Sequence, residues 1–340
     1  MIPAFPRSRR RFALWGDLSL AMFVLSITPA SACLAQKEEN AKPEIEKNPP
    51  IRLGEAFTYK TVARTAVATA GEKSNASQVV QTDGIRELTV YCTKPTGWSP
   101  EDKRPAIVFF HGGGWVGGAP GQFSEHARYF ASRGLVCFQV QYRLLDRKSN
   151  DPPTECIEDA LDAMRWVRGN AARFGIDAAR IASAGGSAGG HLAAYLGCIA
   201  QPANKSEEEA ISAKSDAMLL FNPVYDNGPG GWGAKRVGEQ YTRFSPAHNI
   251  TPDDPPNIVF FGSRDNLVPV ETAKRFREQC TSHGVNSELV VYEGEGHGFF
   301  NVNKKEGRYY LKTVEASDRF LVTLGWLEGE PSVKLPVLAD

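Results

Sequence analysis

The chain has 340 residues, of which 42% are hydrophobic and 23% charged, enough for one large α/β domain or two ordinary ones with a full core. Lysine plus arginine and aspartate plus glutamate both total 39, so the formal net charge is zero. A nucleic-acid-binding domain normally carries a basic excess, so no nucleic-acid partner is expected. Neither C-x-x-C nor H-E-x-x-H spacing occurs, and neither a metal nor an organic cofactor is expected.

At the N-terminus, Arg7, Arg9, Arg10 and Arg11 precede an apolar stretch from Leu18 to Thr28, and Ala30-Ser31-Ala32 offers a small-residue cleavage site. These are the three parts of a secretory signal, assigned to residues 1–35. Ser8-Arg9-Arg10-Arg11-Phe12 is similar to a twin-arginine export motif, which implies folding before export. The apolar run falls short of the roughly 20 residues that a span needs, so no stable membrane span is expected after signal removal. The expectation is an exported protein, periplasmic or secreted. Cys33, directly after Ala32, leaves lipoprotein processing as an alternative, although Ala30 stands where a larger aliphatic residue is usual. The five remaining cysteines are scattered and partly inside apolar runs, which predicts buried free thiols for most of them.

Residues 36–55 are rich in Lys, Glu, Asn and Pro and read as a flexible linker. A strand is predicted over Phe57 to Ala63, then a Gly/Ser-containing turn, then a strand over Ile85 to Cys92. From Pro105 onward, buried strand and amphipathic helix alternate. Strands are expected at Ala106–Phe110, Val136–Tyr142, Arg180–Ala184, Ala217–Phe221, Asn257–Phe261 and Ser287–Tyr292. Helices are expected at Phe123–Ser132, Glu155–Phe174, Ala188–Ile199, Val270–His283 and Tyr309–Leu327. The polar stretch from Gln201 to Asp216 reads as a solvated loop. Such alternation predicts a mostly parallel sheet with helices on both faces, in one catalytic domain over 56–330 with a C-terminal tail over 331–340.

Gly185-Gly186-Ser187-Ala188-Gly189 fits the G-x-S-x-G elbow. It lies between a predicted strand and a predicted helix, the setting the motif requires, which makes Ser187 the candidate nucleophile. His111-Gly112-Gly113-Gly114-Trp115 follows another predicted strand directly. Glycines there let backbone N–H groups face a carbonyl oxygen, so Gly113, Gly114 and Ala188 are the expected oxyanion donors. A glycine-rich loop can also cradle phosphate, but neither G-x-G-x-x-G nor G-x-x-x-x-G-K-[ST] is satisfied. Asp265 and His297 each follow a predicted strand and complete the order Ser, acid, His. Glu295 is a rival acid, but it sits in the histidine's own loop. His191 falls on the helix after Ser187 and is expected to pack or hydrogen-bond.

Together these motifs resemble the bacterial hormone-sensitive-lipase-like esterases and the related carbohydrate acetyl and feruloyl esterases of the α/β-hydrolase superfamily. The resemblance rests on His111 to Trp115, Gly185 to Gly190, Asp265-x-x-Val268-Pro269 and Gly296-His297-Gly298-Phe299, and runs from about Pro105 to Trp326. It implies the α/β-hydrolase fold and a serine carboxylesterase. There are two departures: Gly186 stands where the lipase-like branch has an acidic residue, and the long helical N-terminal cap of that branch is missing. Both favour the smaller carbohydrate-type esterases.

The stretch from Val224 to Pro256 is long for a connection and is expected to form a lid-like insertion. Trp115 and Trp232 are the candidate substrate-binding residues, Trp115 walling off the acyl side and Trp232, with Tyr225 and Asn227, meeting a sugar-like alcohol. The expected substrate is therefore a small-molecule or carbohydrate ester with a short, acetyl-type acyl group. Two other classes share features of this chain. A serine exopeptidase of the prolyl-oligopeptidase type has the same triad order but usually a large N-terminal propeller. A non-catalytic binding protein on the same scaffold would be expected to have lost a triad residue.

Overall fold

The computed structural model describes residues 53–62, 85–199 and 211–333. The signal segment, nearly all of the linker, the turn between the first two strands, most of the polar stretch after 200 and the tail from 334 onward lie outside the described residues.

Eight strands form one sheet: β1 (Glu55–Val62), β2 (Ile85–Thr93), β3 (Arg104–Phe110), β4 (Val136–Val140), β5 (Ile176–Gly186), β6 (Ala217–Phe221), β7 (Asn257–Gly262) and β8 (Ser287–Tyr292). Their spatial order is β1-β2-β4-β3-β5-β6-β7-β8. The pairs β1–β2 and β2–β4 are antiparallel and every later pair is parallel. Strands β4, β6 and β7 are buried at every position, as expected of strands covered on both faces.

Alternate residues of the central strands enter two separate apolar layers. Val108, Phe110, Leu220 and Phe261 pack with α2 (Thr154–Gly169), α3 (Ala188–Cys198) and α5 (Val270–Ser282). Ile107, Phe109, Phe221 and Phe260 pack with α1 (Ser124–Ser132) and α6 (Arg308–Thr323) on the other face. Truncating one such ring to alanine costs about 3–5 kcal/mol, so these layers hold the frame. The short helix α4 (Ala234–Val237) and 3-10 turns at Gly238–Arg243 and Pro246–His248 belong to the stretch between β6 and β7. This is the mostly parallel sheet with helices on both faces of the α/β-hydrolase fold.

Two predicted helix ends are too long by more than one residue. Helix α2 stops at Gly169 because the Asn170 amide donates back to the Trp166 carbonyl at 2.8 Å, after which the chain turns into β5 at Ile176. Helix α6 stops at Thr323, closed by the paired bonds Gly325 N–H to Val322 O and Trp326 N–H to Leu321 O, both 2.9 Å, with Gly325 at φ 70°. The five described cysteines are free and buried, as expected for most of them. Among the described residues no helix is long and apolar enough to cross a membrane.

Candidate active site

Ser187 stands at the turn between β5 and α3 with φ 55° and ψ −119°. A non-glycine residue adopts such a backbone only when its surroundings hold it there. The Ser187 N–H donates to Phe221 O at 3.0 Å, and its carbonyl accepts the His191 N–H at 3.0 Å, which fixes the turn from both sides. A side chain at Gly186 would start 2.3 Å from the Phe300 ring. The space that any side chain at position 186 would need is occupied by Phe300.

His297 follows β8 and Asp265 follows β7, so both lie at the carboxyl ends of parallel strands, where crevices form in such sheets. The His297 Nε2 is 2.8 Å from Ser187 Oγ, and its Nδ1 is 2.7 Å from Asp265 Oδ2. A carboxylate can only accept, so Nδ1 carries the proton and Nε2 is left to accept from the serine hydroxyl. Asp265 is locked in turn, because its Oδ1 accepts the N–H groups of Leu267 at 2.9 Å and Val268 at 3.0 Å. Its side chain is fully buried while that of His297 retains 18% exposure, so the bond to Nδ1 is shielded and the imidazole is still reachable. Glu295 instead faces Lys305, at 3.3 Å. The carboxylate against the histidine is that of Asp265.

The loop after β3 lies against the serine, since a side chain at Gly112 would come within 3.3 Å of Ser187 Cβ. The Gly112 N–H is engaged by Gln122 Oε1 at 2.6 Å, which leaves Gly113 and Gly114 as the next donors in the loop. Gly113 has φ 125°, and a Cβ there would lie 2.2 Å from Gly117 O, so no other residue fits. Ala188, the first residue of α3, is fully buried beside the serine. His111 stacks on Tyr142 at 4.2 Å, and the Tyr142 hydroxyl donates to His111 O at 2.6 Å. Burial pushes the His111 imidazole down to about 4, so it is neutral near pH 7.

Residues outside the predicted motifs join these loops. Asn222, fully buried at φ 35° after β6, accepts the Gly298 N–H at 2.9 Å, and its amide nitrogen stands 3.4 Å from His297 Nε2. Gln122 donates to Asn301 at 2.9 Å, and Asn301 donates to Gly298 O at 2.8 Å. A hydrogen-bonded chain therefore links the loop after β3 to the histidine loop. The one available sequence signal was Asn222 directly before Pro223 at a strand end, since Asn tolerates positive φ and X-Pro marks a turn.

Three substrate-facing expectations are corrected. Trp115 is fully buried and packs on His191 and Trp232, so it presents no wall to an acyl chain. Tyr225 is fully buried and stacks on Phe276 at 4.3 Å. Asn227 is fully buried and donates to Val224 O and Trp232 O. All three are consumed by packing within the insertion or beneath it. Trp232 remains partly exposed, and its ring is 3.7 Å from where a Gly114 Cβ would sit. His191 does hydrogen-bond, with Nε2 2.7 Å from Phe244 O. Among the described residues, no group of three His, Cys, Asp or Glu side chains converges as a metal site would.

Comparison with known proteins bears on the fold and the family. Residues 94–228 match the BD-FAE family model, and residues 240–327 match that of the dienelactone hydrolase family. Esterase LipC of Mycobacterium tuberculosis is 31% identical over 229 residues, covering 59% of this chain and 54% of its own length. The chain spans about half to two thirds of the length of the curated relatives it matches. Two solved structures of Thermogutta terrifontis esterase 2, one phosphorylated by paraoxon and one with propionate bound, are each 38% identical, with a TM-score of 0.70. Each comparison covers 83% of this chain and 98% of that one. A fold and a level of identity that hold across nearly the whole of a solved esterase lead to one conclusion: the chain belongs to the esterases of the α/β-hydrolase family.

Proposed function

We propose that the protein is a serine carboxylic-ester hydrolase for short-chain, acetyl-type esters of polar alcohols such as sugars. The observation that carries this is the relay from Ser187 Oγ to His297 Nε2 at 2.8 Å and from Nδ1 to Asp265 at 2.7 Å. His297 takes the serine proton as Oγ bonds to the ester carbonyl carbon. The N–H groups of Gly113, Gly114 and Ala188 hold the oxyanion of the tetrahedral intermediate. His297 then returns the proton to the departing alcohol, and water releases the acyl group by the same two steps in reverse roles. No metal or organic cofactor enters this sequence.

Three points support a short acyl group and a sugar-like alcohol. A solved relative holds propionate, and the BD-FAE model covers the segment carrying both glycine motifs. The partly exposed Trp232 ring beside the loop after β3 offers a flat apolar face of the kind a sugar ring stacks on. An added methylene that finds no apolar contact gains none of the roughly 0.8 kcal/mol that burial gives, and one that clashes with the site costs rate, so a site shaped for acetyl should reject long chains. Hydrolysis rates across p-nitrophenyl esters from acetyl to decanoyl, with acetylated xylan and a triglyceride alongside, test the reading. Rates should drop steeply beyond butyryl, and acetylated xylan should be the better polymeric substrate. A flat profile, or faster turnover of triglyceride, would overturn the substrate class.

We also propose that the protein is exported, on the strength of Arg7 to Arg11, the apolar run after Leu18 and the Ala30-Ser31-Ala32 site. N-terminal sequencing of the exported form should place the first residue between Cys33 and Lys37. A soluble cytoplasmic form that keeps Met1 would contradict it.

A further inference from the structure

We propose that Trp115 is a positioning residue, whose buried indole, wedged between the nucleophile helix and the insertion, holds the Gly113 and Gly114 N–H groups in line with the substrate carbonyl. This rests on the esterase reading and adds to it a residue that touches no substrate. Trp115 directly follows the two glycines and has φ 63°, a left-handed backbone that a bulky aromatic residue rarely adopts. Such a conformation persists only where the packing around it over-determines it.

The packing is specific on each side. The indole meets the His191 ring edge-on at 5.0 Å and the Trp232 ring at 4.8 Å. His191 is itself tethered, because its N–H donates to Ser187 O and its Nε2 lies 2.7 Å from Phe244 O. On the insertion side, Gly233 has φ 76° and a Cβ there would come within 3.0 Å of the indole, so a side chain at that position would press on the ring. The Trp115 carbonyl accepts the Leu145 N–H at 2.8 Å, which pins the backbone of the strained residue. The indole nitrogen is buried and has no hydrogen-bond partner, so the ring is held by its shape and not by its polar edge. One side chain therefore reads the position of the serine helix and of the insertion, and transmits both to the donors one and two residues before it.

Three variants test this, with kcat and KM measured separately on p-nitrophenyl acetate and folding checked by circular dichroism and melting. Trp115→Ala frees the loop, and kcat should fall about 100-fold, the scale of losing one oxyanion donor, with KM within about threefold of wild type. Trp115→Phe keeps an aromatic ring in the slot and deletes the orphaned N–H, so it should retain kcat within about fivefold. Gly233→Ala strains the insertion backbone at its positive φ and presses on the indole from that side without altering the loop after β3, and kcat should fall about tenfold, again with little change in KM. A folded Trp115→Ala with wild-type kcat, or a loss confined to KM, overturns the proposal. Should Trp115→Ala fail to fold, unchanged kcat in Gly233→Ala overturns it instead. Failure of the esterase reading looks different: the wild-type protein itself would turn over no ester, and the positioning role would fall with it.

Discussion

Through their middles, β3 and β6 are plain apolar runs whose side chains alternate between two core layers. At their carboxyl ends, β3, β5 and β6 lead into Trp115, Ser187 and Asn222, three of the five non-glycine residues with positive φ among those described. The strand interiors are a repeated solution in which burial dominates, and an apolar side chain of similar volume can replace another at small cost. The strand ends are the reverse: each strained residue is held by partners from other loops, and its value lies in where it points. Substitutions in the middles should therefore move stability, and substitutions at the ends should move rate.

The sharpest case is Ser187→Ala, which should lower kcat by roughly 10⁵ to 10⁶ because triad members act as a unit. A variant that kept more than a tenth of the activity would break the distinction at its centre. Asp265→Asn should follow, at about 10⁴ in kcat, since the amide no longer fixes the tautomer of His297. Glu295→Gln alters contacts with Lys305 and Tyr309, neither of which touches His297, and should stay close to wild type. The opposite ranking of these two would reassign the acid. Asn222→Ala takes away the acceptor of the Gly298 N–H and loosens the histidine loop, with an expected loss of about 10- to 100-fold in kcat and unchanged acyl preference.

The smallest effect belongs to the core. His126 lies fully buried among Phe109, Phe123, Phe221, Phe300 and Tyr310, neither ring nitrogen has a partner, and burial pushes its pKa from the ordinary 6.5 down to about 3. The unfolded chain takes up this proton near pH 6.5 and the folded chain does not. Stability is thus complete above pH 6.5 and is lost as pH falls from there toward 3, at up to about 1.4 kcal/mol per pH unit for this group. His111 and His191, both pushed down to about 4 chiefly by burial, add to the loss over their own window from 6.5 to 4. His126→Phe should flatten the pH dependence of the denaturation midpoint and leave kcat at neutral pH nearly unchanged. A dependence as steep as that of wild type would contradict this assignment.

The same contrast explains what could be read from the chain alone. Strands Ala217–Phe221 and Ser287–Tyr292 were predicted to the residue, because a short apolar or alternating run between polar turns has few other solutions. Helix α2 was predicted too long because Ala171 and Phe174 keep the helical apolar spacing although the chain has already turned at Asn170. Ser187, Asp265 and His297 were recognisable from local motifs at strand ends, and the fold brings the three together. Trp115 was misplaced because its direction depends on a positive φ and on Gly233, far away in the chain, neither of which its own motif encodes. Likewise, the reason for Gly186 is the Phe300 ring, a contact that exists only in the folded protein.

Covalent labelling tests Ser187 as the nucleophile without assuming a substrate. Paraoxon phosphorylates the solved Thermogutta terrifontis esterase 2, and a serine activated in the same way should react here. After treatment, peptide mass spectrometry of the wild-type protein should find one diethylphosphoryl group per chain on the peptide containing Ser187, with loss of esterase activity in proportion. The folded Ser187→Ala protein should take up none. Stoichiometric labelling at another residue, or equal labelling of the Ser187→Ala protein, would contradict the account.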